Sequence, residues 1–426
     1  MLLFISIITG AVFLLIGVPI AFALLAIPSI YLSFDAIAPF LIVPQRMLGS
    51  INSFPLMAVP FFVLMGQAMN SGGITDRIFK FADSLVGHLR GGLGHVNVMA
   101  SLLMSGMSGS AVADASGLGQ VEIDAMVKRG YGRPFSAAIT AASATIGPII
   151  PPSIPLVIYG TITSTSISQL LLAGIIPGVL MGLGLMAVTT VTAIKHGFPI
   201  EPKANLKQIA DSFIKAFPAL MTPVILIGGI LSGVFTPTEA SAVAAIYAII
   251  IALFVYKTLN LKGLYKVLLD SAHVIGTIFF IIGAAAVFSW LFTRLNVPQK
   301  MALMLQNTFS AKWVMLLLVN GFILIVGCFL EANAGLIFTA PLLFPVMTQI
   351  GVDPVHFGVI LVMNLMIGLI TPPVGINMYV VTKIAKINVV QFCKAILPFA
   401  VILITVLLMI TFIPNFSLLL PKLMFR

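Results

Sequence analysis

The sequence predicts an all-α polytopic membrane protein with about 11 membrane crossings, two re-entrant helical hairpins and two inverted-topology repeats. Three observations predict it. Of 426 residues, 60% are hydrophobic and 8% charged, against roughly 45–50% apolar and about 25% charged in soluble domains. Uncharged runs recur along the whole chain, at 1–34, 47–75, 91–113, 134–194, 216–238, 240–256, 271–293, 313–330, 332–352, 354–382 and 395–421. Finally, a Gly-x-x-x-Pro-Pro pattern occurs twice inside apolar segments, at Gly147 to Pro152 and Gly368 to Pro373.

The first run has no basic leader, exceeds the length of a signal-peptide core and meets its first charge at Asp35, so it reads as one retained helix ending near Ser33. A second helix is expected over 50–70. GGITDRIFKFADSLVGHLR (72–90) puts Ile74, Ile78, Ala82, Leu85 and Leu89 on one helical face, the pattern of an interfacial arm. RLNVPQKMALMLQ (294–306) matches it later in the chain. The segment 92–128 is expected to be a hairpin that returns to the side it left.

With a cytoplasmic N-terminus, that hairpin places Arg77, Lys80, Arg90, Lys128, Arg129, Arg133, Lys195, Lys203, Lys207, Lys215, Lys257, Lys262, Lys266, Lys383, Lys386 and Lys394 inside. Arg46, Arg294, Lys300, Lys312, Lys422 and Arg426 fall outside. Basic residues prefer cytoplasmic connections, so the distribution supports N-in and C-out. The net charge of +10 therefore follows topology and gives no reason to invoke nucleic acid. Cys328 and Cys393 are far apart in apolar context and suggest neither a disulfide framework nor a metal site.

ATIGPIIPPSIPLVIYG (144–160) carries Pro148, Pro151, Pro152 and Pro155 in a stretch with no charge from Pro134 to Ile194. Proline lacks the N–H that a helix interior needs. The second break, LMIGLITPPVGINMYVV (365–381), lies 221 positions on, and that register aligns Gly106 with Gly327, Ala111 with Ala332, Gly130 with Gly351 and Ile139 with Ile360 without a gap. By the charge distribution the first hairpin opens inside and its counterpart outside, which makes the halves inverted repeats joined by a linker helix at 217–235. Paired hairpins and paired broken helices are a transporter signature, with ion and substrate sites where unwound backbone meets near the midplane.

The hairpin tips are SGMSGSAVADAS (105–116) and GCFLEANAG (327–335). Intramembrane acids and clustered hydroxyl, amide and carbonyl oxygens suit alkali cations better than soft metals. One sodium site is expected at Ser108, Ser110, Ser143 and Gly147, and a second at Glu331, Asn333, Asn364 and Gly368. Any one of these side chains could equally serve a helix-to-helix hydrogen bond. Glu239, in FTPTEASA, opens a helix and suits an N-terminal cap as well as a substrate path. Arg294 ends a helix, where it can snorkel or meet an anion. No G-x-x-x-x-G-K-[ST] loop or H-E-x-x-H motif occurs, which argues against ATP coupling within the chain and against metalloprotease chemistry. No cofactor is expected, and the chain is not read as an enzyme.

SGMSGSAVADASGLGQ (105–120), ATIGPIIPPSIPLVIYG and LITPPVGINMYV (369–380) resemble the large membrane subunit of tripartite ATP-independent periplasmic (TRAP) transporters. The resemblance implies an elevator-type machine in the bacterial inner membrane. Sodium would drive uptake of an organic acid of the sialic acid or C4-dicarboxylate type. A small membrane subunit and a periplasmic substrate-binding protein would be its partners. It also implies sodium at Ser108, Ser110 and Gly147 and at Glu331, Asn333 and Gly368. Substrate would lie between the tips near Ser153, with Asp114, Thr371, Arg294 and Glu239 as further candidates. The expected division is scaffold at 1–91, transport domain at 92–160, scaffold with linker and second arm at 161–311, transport domain at 312–382, and a last helix at 383–426. The alternative is a stand-alone sodium-coupled carboxylate transporter or ion antiporter that needs no binding protein.

Overall fold

The structure is a computed structural model and describes residues 2–34, 38–198, 202–309 and 311–425. The side chains of Leu15, Gly106, Met107, Ser108 and Gln306 lie outside the described atoms, as do Asp35 and Arg426 entirely. Among the described residues the chain is helical, with no strand.

The first uncharged run departs from expectation. It forms two helices, α1 (Leu2–Leu15) and α2 (Ile20–Phe34), which pack on each other. Gly17 takes φ +85° between them, a conformation open to glycine, and Pro19 follows. A β-carbon at Gly10 would meet Ile27 of α2, so the missing side chain lets the two helices approach closely. The expected helix at 50–70 is also divided. Here α3 (Ile42–Ile51) and α4 (Ala58–Ser71) are joined by a short 3-10 turn and meet at a 65° bend.

After α4 comes the first arm, α5 (Ile74–Val86), with Ile74, Ile78, Phe81 and Ala82 buried. The expected apolar face thus holds through Ala82, while Leu89 beyond it is 39% exposed. The first hairpin follows as α6 (Gly92–Ser108) and α7 (Ala111–Lys128), then α8 (Arg133–Ala144), the proline break, and α9 (Ile154–Thr163). Next come α10 (Ile167–His196), α11 (Leu206–Leu231), α12 (Pro237–Ile250, continued by a π turn), α13 (Leu261–Arg294) and the second arm, α14 (Val297–Thr308). The second hairpin is α15 (Lys312–Phe329) and α16 (Ala332–Gln349), followed by α17 (Pro354–Gly368), a break, and α18 (Ile376–Ala385). The expected last helix is again two, α19 (Val389–Phe412) and α20 (Asn415–Met424), the turn falling at Pro414.

The two hairpin units share one register: Ala111 and Ala332, Lys128 and Gln349, and Arg133 and Pro354 are each 221 positions apart and each bound an element. Their packing is reciprocal. Helix α7 lies on α8 and on α18 of the other unit, whereas α16 lies on α17 and on α9 of the other unit. The helices α2, α3, α4 and α12 gather instead around α13 and α11. Among the described residues six helices are long and apolar enough to cross a membrane, or seven with the bent α3–α4 pair. Their exposed Leu, Ile, Val and Phe side chains have no counterpart on an ordinary soluble surface but suit contact with lipid.

Candidate functional site: two hairpin tips against two proline breaks

Each hairpin tip meets the break of its own unit. In the first unit, Gly109 takes φ +60°, and a β-carbon on it would lie 3.1 Å from the Pro152 carbonyl oxygen and 3.4 Å from the Ile154 nitrogen. Ser110 then starts α7, its hydroxyl accepting from Ala113 N at 3.4 Å. Asp114 is 3% exposed and packs against the break: a β-carbon at Gly147 would collide with its carboxylate. Glycine at 147 therefore lets the unwound chain and an intramembrane acid touch.

In the second unit, Gly375 N donates to Cys328 O at 2.9 Å, tying the end of the break to the tip. Gly368 lies on the backbone of Gly327. Glu331 begins α16, its carboxylate accepting from Asn333 N at 2.9 Å, Ala334 N at 3.2 Å and Asn333 Nδ2 at 3.1 Å. A carboxylate at a helix N-terminus is favoured by the exposed amides and the macrodipole, so Glu331 and Asn333 are held as one group. Both Pro-Pro bonds, 151–152 and 372–373, are cis.

The two units also meet. Asn377 lies in the first turn of α18 after the second break and donates through Nδ2 to Ala111 O of the first tip at 3.4 Å. It is fully buried, and its Oδ1 has no hydrogen-bond partner. An unsatisfied buried acceptor costs about 1–3 kcal/mol and marks a place where a cation or a donor would be welcome. The Oδ1 atoms of Asn333 and Asn364 are in the same condition.

Several expected site residues serve the fold as well. The Ser143 hydroxyl donates to Asn97 Oδ1 at 2.6 Å, and Asn97 Nδ2 donates to Thr140 Oγ1 at 2.7 Å. Asn364 Nδ2 donates to Asn320 Oδ1 at 2.7 Å and Asn320 O at 3.0 Å, and Asn320 Nδ2 donates to Thr411 Oγ1 at 3.2 Å. So α6 is pinned to α8 and α15 to α17 by matched polar pairs. Ser153 is buried, donates to Pro148 O and caps α9 by accepting from Leu156 N at 3.2 Å. Thr371 Oγ1 donates back to Ile367 O in the last turn of α17 at 2.7 Å. Ser108 ends α6 at the first tip, but its side chain lies outside the described atoms.

Arg294 and Glu239 stand apart from the tips. Arg294 lines a cavity of about 560 Å³ with Arg46, Ser50, Ser53, Thr161 and Pro341, so the opening lies between α3–α13 and α9–α16. The Arg46 guanidinium is 5.9 Å from the Trp290 ring centroid, a cation–π distance. Glu239 lines no part of that cavity. It is exposed and accepts from Thr236 N and Thr236 Oγ1, both at 2.8 Å, completing a capping box on α12. Among the described residues no group of three or more His, Cys, Asp or Glu could hold a metal. A cation at the tips would thus rely on backbone, hydroxyl and amide oxygens with at most one or two carboxylates, a donor set suited to a hard monovalent ion.

Sequence reasoning missed Asn97, Asn320, Asn377, Arg46 and Glu122, the last a carboxyl on α7 that is 1% exposed. Asn377 stood within a motif already singled out, LITPPVGINMYV, as an amide one residue into a half-helix that follows a break.

A multi-helix membrane protein with paired hairpins, paired interrupted helices and buried oxygen donors between them belongs to the class of transporters. The chain belongs to the DctM component family of tripartite ATP-independent periplasmic transporters, whose family model matches residues 7–416. It is 46% identical over 407 residues to the sialic acid TRAP transporter large permease protein SiaM of Vibrio cholerae, covering 96% of this chain and 95% of that protein. It is 41% identical over 369 residues to the C4-dicarboxylate TRAP transporter large permease protein DctM of Pseudomonas aeruginosa, covering 87% and 86%. The YdaH transporter of Alcanivorax borkumensis shares the fold, with a TM-score of 0.68 at 16% identity over 95% of this chain and 97% of that one.

Proposed function

We propose that this chain is the transporting subunit of a sodium-driven organic-acid uptake system of the bacterial inner membrane, working as an elevator. The observation that carries the proposal is that each hairpin tip touches the proline break of its own unit, Gly109 against Pro152 and Gly327 against Gly368. The moving body would be 92–160 with 312–382, because α7 lies on α18 and α16 on α9 across the two units. The stationary body would be 1–91 and 161–311, braced by the arms α5 and α14, with 383–426 closing the chain. With α1 and α2 together counted as one crossing, the basic residues support about 11 crossings, an N-terminus inside and a C-terminus outside.

One sodium would bind at Ser108, Ser110, Ser143 and Gly147, with Asp114 alongside. A second would bind at Glu331, Asn333, Asn364 and Gly368. The anionic substrate, of sialic acid or C4-dicarboxylate type as the names of the relatives suggest, would enter by the cavity of Arg46 and Arg294. It would settle between the tips near Ser153 and Thr371, with Asn377 now a stronger candidate than Glu239. A small membrane subunit and a periplasmic binding protein would complete the system. Sodium neutralises the acids and orders the tips, so substrate affinity and sodium affinity should rise together.

Reconstitution with the small subunit into proteoliposomes tests this. Uptake that needs both the binding protein and an inward sodium gradient is expected. Uptake that persists without a binding protein would favour the stand-alone reading, and none under either condition would defeat both.

A further inference from the structure

A second cavity, of about 830 Å³, includes no residue of either tip and opens between the start of α8, the last turns of α10 and the first turns of α19. Its floor is aromatic: Phe135 is 5.0 Å from Phe198 and 5.8 Å from Phe399 between ring centroids. Tyr131 lies 4.5 Å from Phe198 behind it. Its rim is basic, with Lys195 and His196 from α10 and Lys394 from α19. No carboxylate lines it, and among the described residues neither lysine is in an ion pair.

The rim and the floor make opposite demands that one class of molecule meets. Lys195 and Lys394 line the same groove from two different helices that are long and apolar enough to span a membrane. The flanking surface is apolar and open, with Val191 54%, Ile194 57%, Leu397 60% and Val401 61% exposed. Both lysines also belong to the connections that hold most of the chain's basic residues, the side where anionic lipid headgroups meet juxtamembrane cations. A small free anion would use the rim and leave the aromatic floor uncovered. A neutral lipid would use the floor and leave the lysines unanswered.

We propose that this groove is a binding site for an anionic phospholipid, its phosphate between Lys195 and Lys394 beside His196, its acyl chains over Phe135, Phe399 and Val191. A lipid seated there bridges α8, which leads into the first proline break, to α10 and α19. It would set the sensitivity of the transporter to membrane composition without touching the hairpin tips.

The test is native mass spectrometry of the purified full chain titrated with phosphatidylglycerol and with phosphatidylcholine of identical acyl chains. The protein should retain phosphatidylglycerol roughly 30-fold better, given two basic residues at the headgroup. A Lys195→Gln/Lys394→Gln variant with an unchanged thermal midpoint should reduce retention to the phosphatidylcholine level. If that variant does not fold, the wild-type preference alone decides. Equal retention of the two lipids, or retention unaltered in a folded variant, overturns the proposal. Displacement of the lipid by chain-free glycerol phosphate at equal concentration would assign the groove to a free anion and overturn it too. So would a cross-link from Val191→Cys to a second polypeptide in the purified complex.

Discussion

A β-carbon built on Gly368 would lie 2.5 Å from both the Cα and the carbonyl carbon of Gly327. Backbone presses on backbone here, between the second break and the second hairpin. Neither partner can rotate aside as a long side chain could. Gly368→Ala should therefore cost about 1–3 kcal/mol, as overpacking does, and abolish uptake. A β-carbon on Gly117, in α7, would meet nothing within 4 Å, and Gly117→Ala should be neutral or stabilising by about 0.4–1 kcal/mol. Thermal unfolding of the two variants side by side checks the contrast.

Glu331 holds the second tip through its carboxylate oxygens. Glutamine keeps one acceptor and can still cap, whereas alanine keeps none. Glu331→Gln should lose well under 1 kcal/mol of stability and Glu331→Ala about 1 kcal/mol. Both should raise the sodium concentration needed for half-maximal uptake. Sodium titration of uptake, paired with melting curves, separates the role of the charge from that of the cap.

Asn377 joins the two units at Ala111 O. Asn377→Ala removes that link and deletes the unsatisfied Oδ1 acceptor with it. Stability should change by less than about 1 kcal/mol, because the lost bond and the relieved acceptor oppose each other. Transport should fall by an order of magnitude or more. An uptake rate close to wild type would show that Asn377 is only a packing residue.

Ser153 caps α9 and donates into the break. Ser153→Ala should cost about 0.5–2 kcal/mol, whereas Ser153→Thr, which also caps, should recover most of it. Denaturation midpoints of the pair measure this directly.

The two breaks and the helix starts beside them were legible because proline and glycine disturb an apolar helix visibly, and because the disturbance recurs at one spacing. Ala111 and Ala332 were aligned from sequence and both begin a helix. The split of the first run was not legible by hydropathy, since Gly17, Val18 and Pro19 leave it uncharged throughout; only the glycine–proline spacing carried a signal. The polar pairs escaped for a different reason. Asn97 and Asn320 sit in apolar helices, and each meets its partner more than 40 positions away, Ser143 and Asn364. Such a match is made by packing, which no local pattern announces. Glu239 shows the converse: its capping pattern, Thr-x-x-Glu, was local, and it is realised in full.

The central claim is that the two tip-and-break contacts are sodium sites. A ligand that binds only the folded state raises stability by an amount that grows with the logarithm of its concentration, about 2.7 kcal/mol at a hundredfold its Kd. The thermal midpoint of the purified protein, measured against sodium chloride and against potassium chloride at constant ionic strength, tests this most directly. The account predicts a rise with sodium and none with potassium, the rise reduced in Glu331→Gln. Equal midpoints in the two salts, or a sodium rise untouched by Glu331→Gln, would contradict it.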